Sequence, residues 1–183
     1  MNVSKKPVIV TFAGLAEAGK SSAAKILQQF LELQEKKSML AANGDYLKFI
    51  CRQYFGWDGN KDEEGRTILQ QVGTEKVRAK DETFWVDSLI RLVDVIGDEY
   101  DYVLIDDARF PNELSQWQKA GYKVVAAHIN RPDHDNVLTS EQKQHASEVA
   151  LDGYEFDVYL SAIDLDGLSL EIVEKIWPMI SEG

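Results

Sequence analysis

Apolar strand-like runs alternate with amphipathic helical segments along this 183-residue chain, which predicts an α/β fold. Its expected form is three layers, α/β/α, around a mostly parallel sheet of about five strands. Two local observations support this. The run Val8-Ile9-Val10-Thr11-Phe12-Ala13 leads without a break into Gly14-Leu15-Ala16-Glu17-Ala18-Gly19-Lys20-Ser21-Ser22 and then into a helical pattern. The apolar run Tyr102-Val103-Leu104-Ile105 closes on Asp106-Asp107, as a central parallel strand does when it delivers carboxylates to the C-terminal edge of a sheet.

In chain order, residues 7–13 read as the first strand. Residues 20–37 read as a helix whose apolar face holds Ala24, Ile26, Leu27, Phe30, Leu31 and Leu33. A second strand follows at 38–42, a turn at Gly44-Asp45, and a short helix from Tyr46 that ends near Gly56. The tract 57–65 is acidic and turn-rich and reads as a solvated loop. Helices are expected over 66–80 and 82–96, and again over 112–120, where Gly121 closes the last of them. Strands are expected at 123–129 and 156–160, with a closing amphipathic helix at 168–180. The polar stretch 130–148 has little apolar periodicity and suits a lid, placed at 131–148. No repeat or linker interrupts the pattern, so residues 1–183 are read as one domain.

A net charge of −11 and a pI near 4.7 argue against a broad nucleic-acid footprint, which needs clustered Lys and Arg. Anionic ligands must instead be met locally. Cys51, the single cysteine, rules out an intramolecular disulfide and reads as a small buried hydrophobe. No apolar run approaches a membrane span of about 20 residues, and residues 1–6 lead into no signal-peptide core. A cytoplasmic protein that contacts neither membrane nor nucleic acid is expected.

The pattern G-x-x-x-x-G-K-S between a strand and a helix is a phosphate cradle and marks a P-loop NTPase fold. Its glycines let the backbone approach a nucleotide, and N–H groups at the helix start point at the phosphates. Lys20 would bridge the β- and γ-phosphates of ATP, and the Ser21 hydroxyl would ligate Mg²⁺. Gly14, Ala16, Glu17, Ala18, Gly19, Lys20, Ser21 and Ser22 are the expected ATP contacts, with Ser21, Asp106 and Asp107 the expected metal side. A regulatory GTPase would need D-x-x-G after the carboxylate strand. Here Asp106 is followed at that position by Arg109 and Asp107 by Phe110. Motor and transporter ATPases usually need a larger chain, and many place a glutamate just after the strand aspartate, where this chain has Asp107.

A small-molecule kinase fits better, because it must screen two anionic substrates with cations. Arg109 leaves the carboxylate strand, Arg131 opens the lid, and Arg66 and Arg78 stand about three turns apart on one predicted helix. Arg78 is expected to be a solvated helix-surface charge. Tyr46, Tyr54, Trp57 and Trp85 fall where a base could stack, although packing is the favoured reading for each. His128 reads as packed or edge-exposed rather than catalytic, and His145 with Glu148 as a lid-positioning contact rather than a metal pair.

Several segments carry a family resemblance: GLAEAGKSS, then Arg66-Thr67-Ile68-Leu69-Gln70-Gln71-Val72-Gly73-Thr74, Phe84-Trp85-Val86, Tyr102 through Glu113, and Asn130-Arg131-Pro132 with His145-Ala146-Ser147-Glu148. In order and spacing the chain resembles the phage-type deoxynucleoside monophosphate kinases over roughly residues 7–162. The resemblance implies transfer of the ATP γ-phosphoryl group to a nucleoside or deoxynucleoside 5′-monophosphate, with Mg²⁺. Carried over by position, it implies catalytic roles for Lys20, Asp107, Arg109 and Arg131. The acceptor pocket would then include Asp45, Arg66, Gln70, Gly73, Thr74, Trp85 and Arg109. Two other readings remain open: a P-loop kinase for another metabolite such as dephospho-coenzyme A, and a catalytically weak nucleotide-binding regulator. A homodimer is compatible with this kind of enzyme, but no apolar stripe in the sequence demands one.

Overall fold

The computed structural model describes residues 5–131, 150–161 and 163–181. A five-stranded, wholly parallel sheet in the order β2-β3-β1-β4-β5 lies between two layers of helices, the three-layer α/β arrangement that the alternation predicts. Its strands are β1 (Val8–Ala13), β2 (Ser38–Ala41), β3 (Tyr102–Ala108), β4 (Val124–Asn130) and β5 (Val158–Ser161). The side-chain period of two sorts each buried strand between the layers. Val10, Phe12 and Leu104 pack with α1 (Lys20–Leu33) and the C-terminal helices, whereas Ile9, Val103 and Ile105 pack with α4 (Phe84–Ile96) and α5 (Asn112–Lys119). Because both faces are covered, the strands read as continuous apolar runs.

Helix α1 stops four residues short of the expected end. The cause is a left-handed Glu35 (φ 57°), with Glu35 N–H bonded to Glu32 O at 3.0 Å and Lys36 N–H to Leu31 O at 2.9 Å. This is a Schellman closure without glycine. The same two bonds close α5 at the expected Gly121, from Gly121 N–H to Gln118 O and from Tyr122 N–H to Trp117 O.

Between β2 and α4 the chain builds a satellite core from α2 (Gly44–Tyr54), α3 (Glu63–Gln70) and a π-helical continuation, Gln71–Arg78. Cys51, Trp57 and Val72 are its buried centre, so Cys51 is the small core residue expected of it. The acidic tract is exposed over most of its length, as expected of a solvated loop, but its two ends are anchored. Trp57 is buried and donates from Nε1 to Asn60 O at 2.7 Å, and the Asp62 side chain caps α3 by accepting from Gly65 N–H at 2.8 Å. The last described segment is α6 (Leu165–Glu171), a π-helical stretch (Ile172–Ile176) and α7 (Trp177–Ser181), whose Leu168, Ile172 and Ile176 cover the sheet beside α1. Among the described residues no helix is long and apolar enough to cross a membrane.

Leu104 is fully buried in a central strand, whereas Leu33 is 80% exposed. Leu104→Ala is expected to cost about 3 kcal/mol in urea unfolding and Leu33→Ala less than about 0.5 kcal/mol.

Candidate functional site

Strands β1 and β3 are neighbours, although β1 continues through α1 to β2 on one side and β3 through α5 to β4 on the other. The crevice beyond their C-terminal ends is thus a topological switch point. The phosphate loop, residues 14–19, occupies it. Gly14 adopts φ 138°, and a Cβ there would collide with Ile129 O, so the loop can pass β4 only with glycine at that position. Glu17 (φ 63°) and Gly19 (φ 101°) complete the turn into α1, and Ala18 tucks into the core. Lys20 is 9% exposed, and its Nζ donates to Gly14 O at 2.8 Å and Leu15 O at 2.7 Å. The ammonium therefore lies inside the loop, where the phosphates of a nucleotide would meet it.

Asp106 and Asp107 are adjacent on β3, and the pleat sends them to different tasks. Asp106 Oδ2 accepts from Ser21 Oγ at 2.5 Å. A hydroxyl and a carboxylate oxygen side by side form a hard-oxygen pair, a donor set that fits Mg²⁺ completed by phosphate and water. Asp107 faces α2 instead. Its Oδ1 accepts from Asn43 N–H at 2.8 Å and Asn43 Nδ2 at 3.3 Å, and its Oδ2 accepts from Gly44 N–H at 2.8 Å. Burial pushes this carboxyl above the usual range, and the N–H bonds act in the opposite direction. Both of its oxygens are thus engaged at the start of α2, and Asp107 also lines the cavity described next.

A cavity of about 460 Å³ extends from the phosphate loop to the satellite core. Of the expected acceptor residues it brings together Arg66, Gln70, Gly73, Thr74, Trp85 and Arg109, in one lining with Lys20, Ser21 and Asp106. Asp45 is the exception. It is exposed in the first turn of α2, where it pairs with Lys48 at 2.8 Å, and Lys48 lines the cavity in its place. Gly73 packs against Leu47, whose Cδ2 would stand 2.7 Å from an added Cβ and would have to move for it to fit. Trp85 is buried and braces the same turn, donating from Nε1 to Gly73 O at 3.1 Å. The packing reading thus holds for Trp57 and Trp85. Tyr54 is 74% exposed, and Tyr46 stacks on Phe49 and Phe84.

Arg78 departs most from expectation. It is almost wholly buried and forms an ion pair with Glu113 on α5, which is buried as well. Its Nη1 donates to Glu82 O at 2.9 Å and Asn112 Oδ1 at 3.3 Å, and its Cζ lies 3.7 Å from the centre of the Phe110 ring. The π-helical turn and the approach of α5, both tertiary features, take this arginine out of water. Glu113 also accepts from Arg109 N–H at 2.7 Å and Phe110 N–H at 3.2 Å. Sequence reasoning gave Glu113 no role. The available signal was its place in the first turn of a helix, four residues after the arginine that follows β3.

Arg66 is half-buried and donates from Nε to Lys61 O at 2.9 Å. Arg131 is exposed directly after β4. The remainder of the expected lid, 132–148 with His134, Lys143, His145 and Glu148, lies outside the described residues. His128 packs its ring 5.0 Å from Phe156, and burial followed by the Lys20 charge lowers its pKa, so it is the packed side chain expected.

No family model matches the sequence, and no curated protein sequence matches it either. Solved structures do match in fold. An APS kinase of Mycobacterium tuberculosis, solved with AMPPNP and APS, superposes with a TM-score of 0.55 at 14% identity over 93% of this chain and 98% of that one. TT1252 from Thermus thermophilus gives 0.56 at 14% identity over 96% and 98%. A sugar kinase from Janibacter sp. HTCC2649 gives 0.52 at 15% identity, again over 96% and 98%. At such identities the likeness is one of fold: the chain shares the three-layer α/β architecture of these structures.

Burial, then the neighbouring Asp107 charge, push the Glu113 carboxyl up to about 7, while Arg78 and the two backbone N–H groups pull it down. A group whose pKa rises on folding holds its proton more tightly in the native state. Its stabilisation is full below the unfolded value of 4.5 and is lost as pH rises through about 7. Wild-type stability measured by urea unfolding should therefore lose ground to Glu113→Gln across that window. A difference that stays flat with pH would contradict the assignment.

Proposed function

We propose that this protein is an ATP-dependent kinase that transfers the γ-phosphoryl group to a nucleoside or deoxynucleoside 5′-monophosphate, releasing the diphosphate and ADP. One observation carries the reading. A single cleft of small-molecule size is lined both by the phosphate loop and the Ser21–Asp106 pair and by Arg66, Arg109, Lys48 and Lys61, so it offers cations for a second phosphorylated ligand besides a nucleotide. Lys20 would exchange the carbonyls of Gly14 and Leu15 for the β- and γ-phosphates. Ser21 and Asp106 would hold Mg²⁺, whose charge supports the transferring group when bound. Arg109 would clamp the acceptor or transferring phosphate, as a guanidinium does bidentately. Arg66, Gln70 and Thr74 would line the acceptor pocket around the Gly73 turn, and Arg131 would cover the phosphates. Asp107 would act through the placement of α2. The fold likeness to an APS kinase favours a second reading, a kinase for another small phosphorylated metabolite, with the same phosphate loop and a different acceptor.

The test is ADP release from Mg-ATP with each common ribo- and deoxyribonucleoside monophosphate supplied separately. Stimulation by one or a few names the acceptor, and stimulation only by other metabolites transfers the reading to the alternative. In the stimulated reaction, Lys20→Ala and Arg109→Ala should each lower kcat by about 100-fold or more with the circular dichroism spectrum unchanged. Near-normal turnover in either would remove the mechanism.

A further inference from the structure

Glu113 is 4% exposed and borders the cleft, yet its two oxygens are engaged by protein donors. Oε1 takes the Arg78 guanidinium, and Oε2 takes the N–H groups of Arg109 and Phe110. These partners belong to different walls. Arg109 and Phe110 form the loop that leaves β3, whereas Arg78 ends the π-helical segment that carries Gly73 and Thr74. The Phe110 ring against the Arg78 guanidinium closes the joint, and Asn112 Nδ2 donates to Glu82 O at 2.9 Å as a second stitch. Thr74, Arg78 and Phe110 also line a second, open groove, so the joint borders both that groove and the cleft.

We propose that Glu113 is a positioning residue: its buried carboxylate ties the Arg109 loop to the Arg78 segment and thereby sets the spacing of the two walls that receive the acceptor. The inference deepens the kinase reading, and its kinetic arm rests on that reading. An ionised carboxylate is suited to this task because it is acceptor-only and can serve donors on both oxygens at once. A glutamine has one acceptor oxygen and one NH₂ group. Either the loop amides keep their acceptor and Arg78 meets a donor, or the reverse, so one side of the tie is lost while the volume is kept. Small displacements of a positioning wall are costly for transfer between two held substrates.

The test uses Glu113→Gln in the full chain near pH 8, with Arg78→Met/Glu113→Gln as second variant. The acceptor KM should rise at least about tenfold while the ATP KM stays within about twofold. The double variant should lose less than the sum of Arg78→Met and Glu113→Gln measured singly, because the two substitutions share the Glu113–Arg78 bond. By NMR, either the Arg109 and Phe110 amides or the Arg78 guanidinium N–H groups should exchange about tenfold faster in Glu113→Gln. Unchanged acceptor KM, or a parallel loss in the ATP and acceptor parameters that tracks a smaller folded fraction, overturns the proposal. If wild type accepts a metabolite other than a nucleoside monophosphate, the nucleotide reading falls and the kinetic arm is run with that acceptor. If it accepts none, the exchange arm decides alone, and wild-type exchange at both groups in the variant overturns the tie.

Discussion

In the parallel register that sets Val10 beside Leu104 and Thr11 beside Ile105, β1 and β3 end together at one edge of the sheet. Everything chemical in the cleft depends on this adjacency. It brings the phosphate loop within hydrogen-bond reach of Asp106, although the two are separated by more than eighty positions in the chain, as the Ser21–Asp106 separation of 85 shows. The pairing is held by strands buried on both faces, whose apolar side chains would all change layer if the register slipped by one residue. A core built for stability therefore also sets the distance between the lysine, the hydroxyl and the carboxylate.

The same pleat divides labour between neighbours. Asp106 turns to Ser21, and Asp107 turns to the backbone N–H groups of Asn43 and Gly44, so one strand end faces the start of α1 and anchors α2 beside the cleft. Charge follows the same economy. The cleft takes its cations from residues scattered along the chain, which lets a protein of net charge −11 present a locally basic wall to an anionic ligand. Burying one of those cations, Arg78, is tolerable because a carboxylate, a carbonyl and an aromatic face surround it. An isolated buried charge would cost several kcal/mol by the usual desolvation argument.

Much of the site was legible because its signals are local. The phosphate loop needs glycine at fixed offsets, a lysine and a hydroxyl, and those requirements are met by contiguous residues that any reader of the chain can align with a strand and a helix. Arg66, Gln70, Gly73 and Thr74 share one helical segment, so their common cavity follows from periodicity once the segment is placed. Asp45 misled because it neighbours the right turn. In the folded chain Lys48, one helical turn away, takes its charge and faces the cleft instead.

The sequence by itself determined the layer order, the parallel sheet and the phosphate cradle, since apolar period, turn glycines and strand length are properties of short windows. Only the tertiary structure decided which of two adjacent aspartates meets Ser21, where α1 stops, and that Arg78 is buried rather than solvated. Those outcomes depend on the pleat at one strand end, on a left-handed glutamate, and on a π-helical turn that meets the start of α5. The tie from Glu113 to Arg78 and to the Arg109 loop is of the same kind. It spans elements that are distant in the chain, and its energy comes from burial that exists only after the layers have packed.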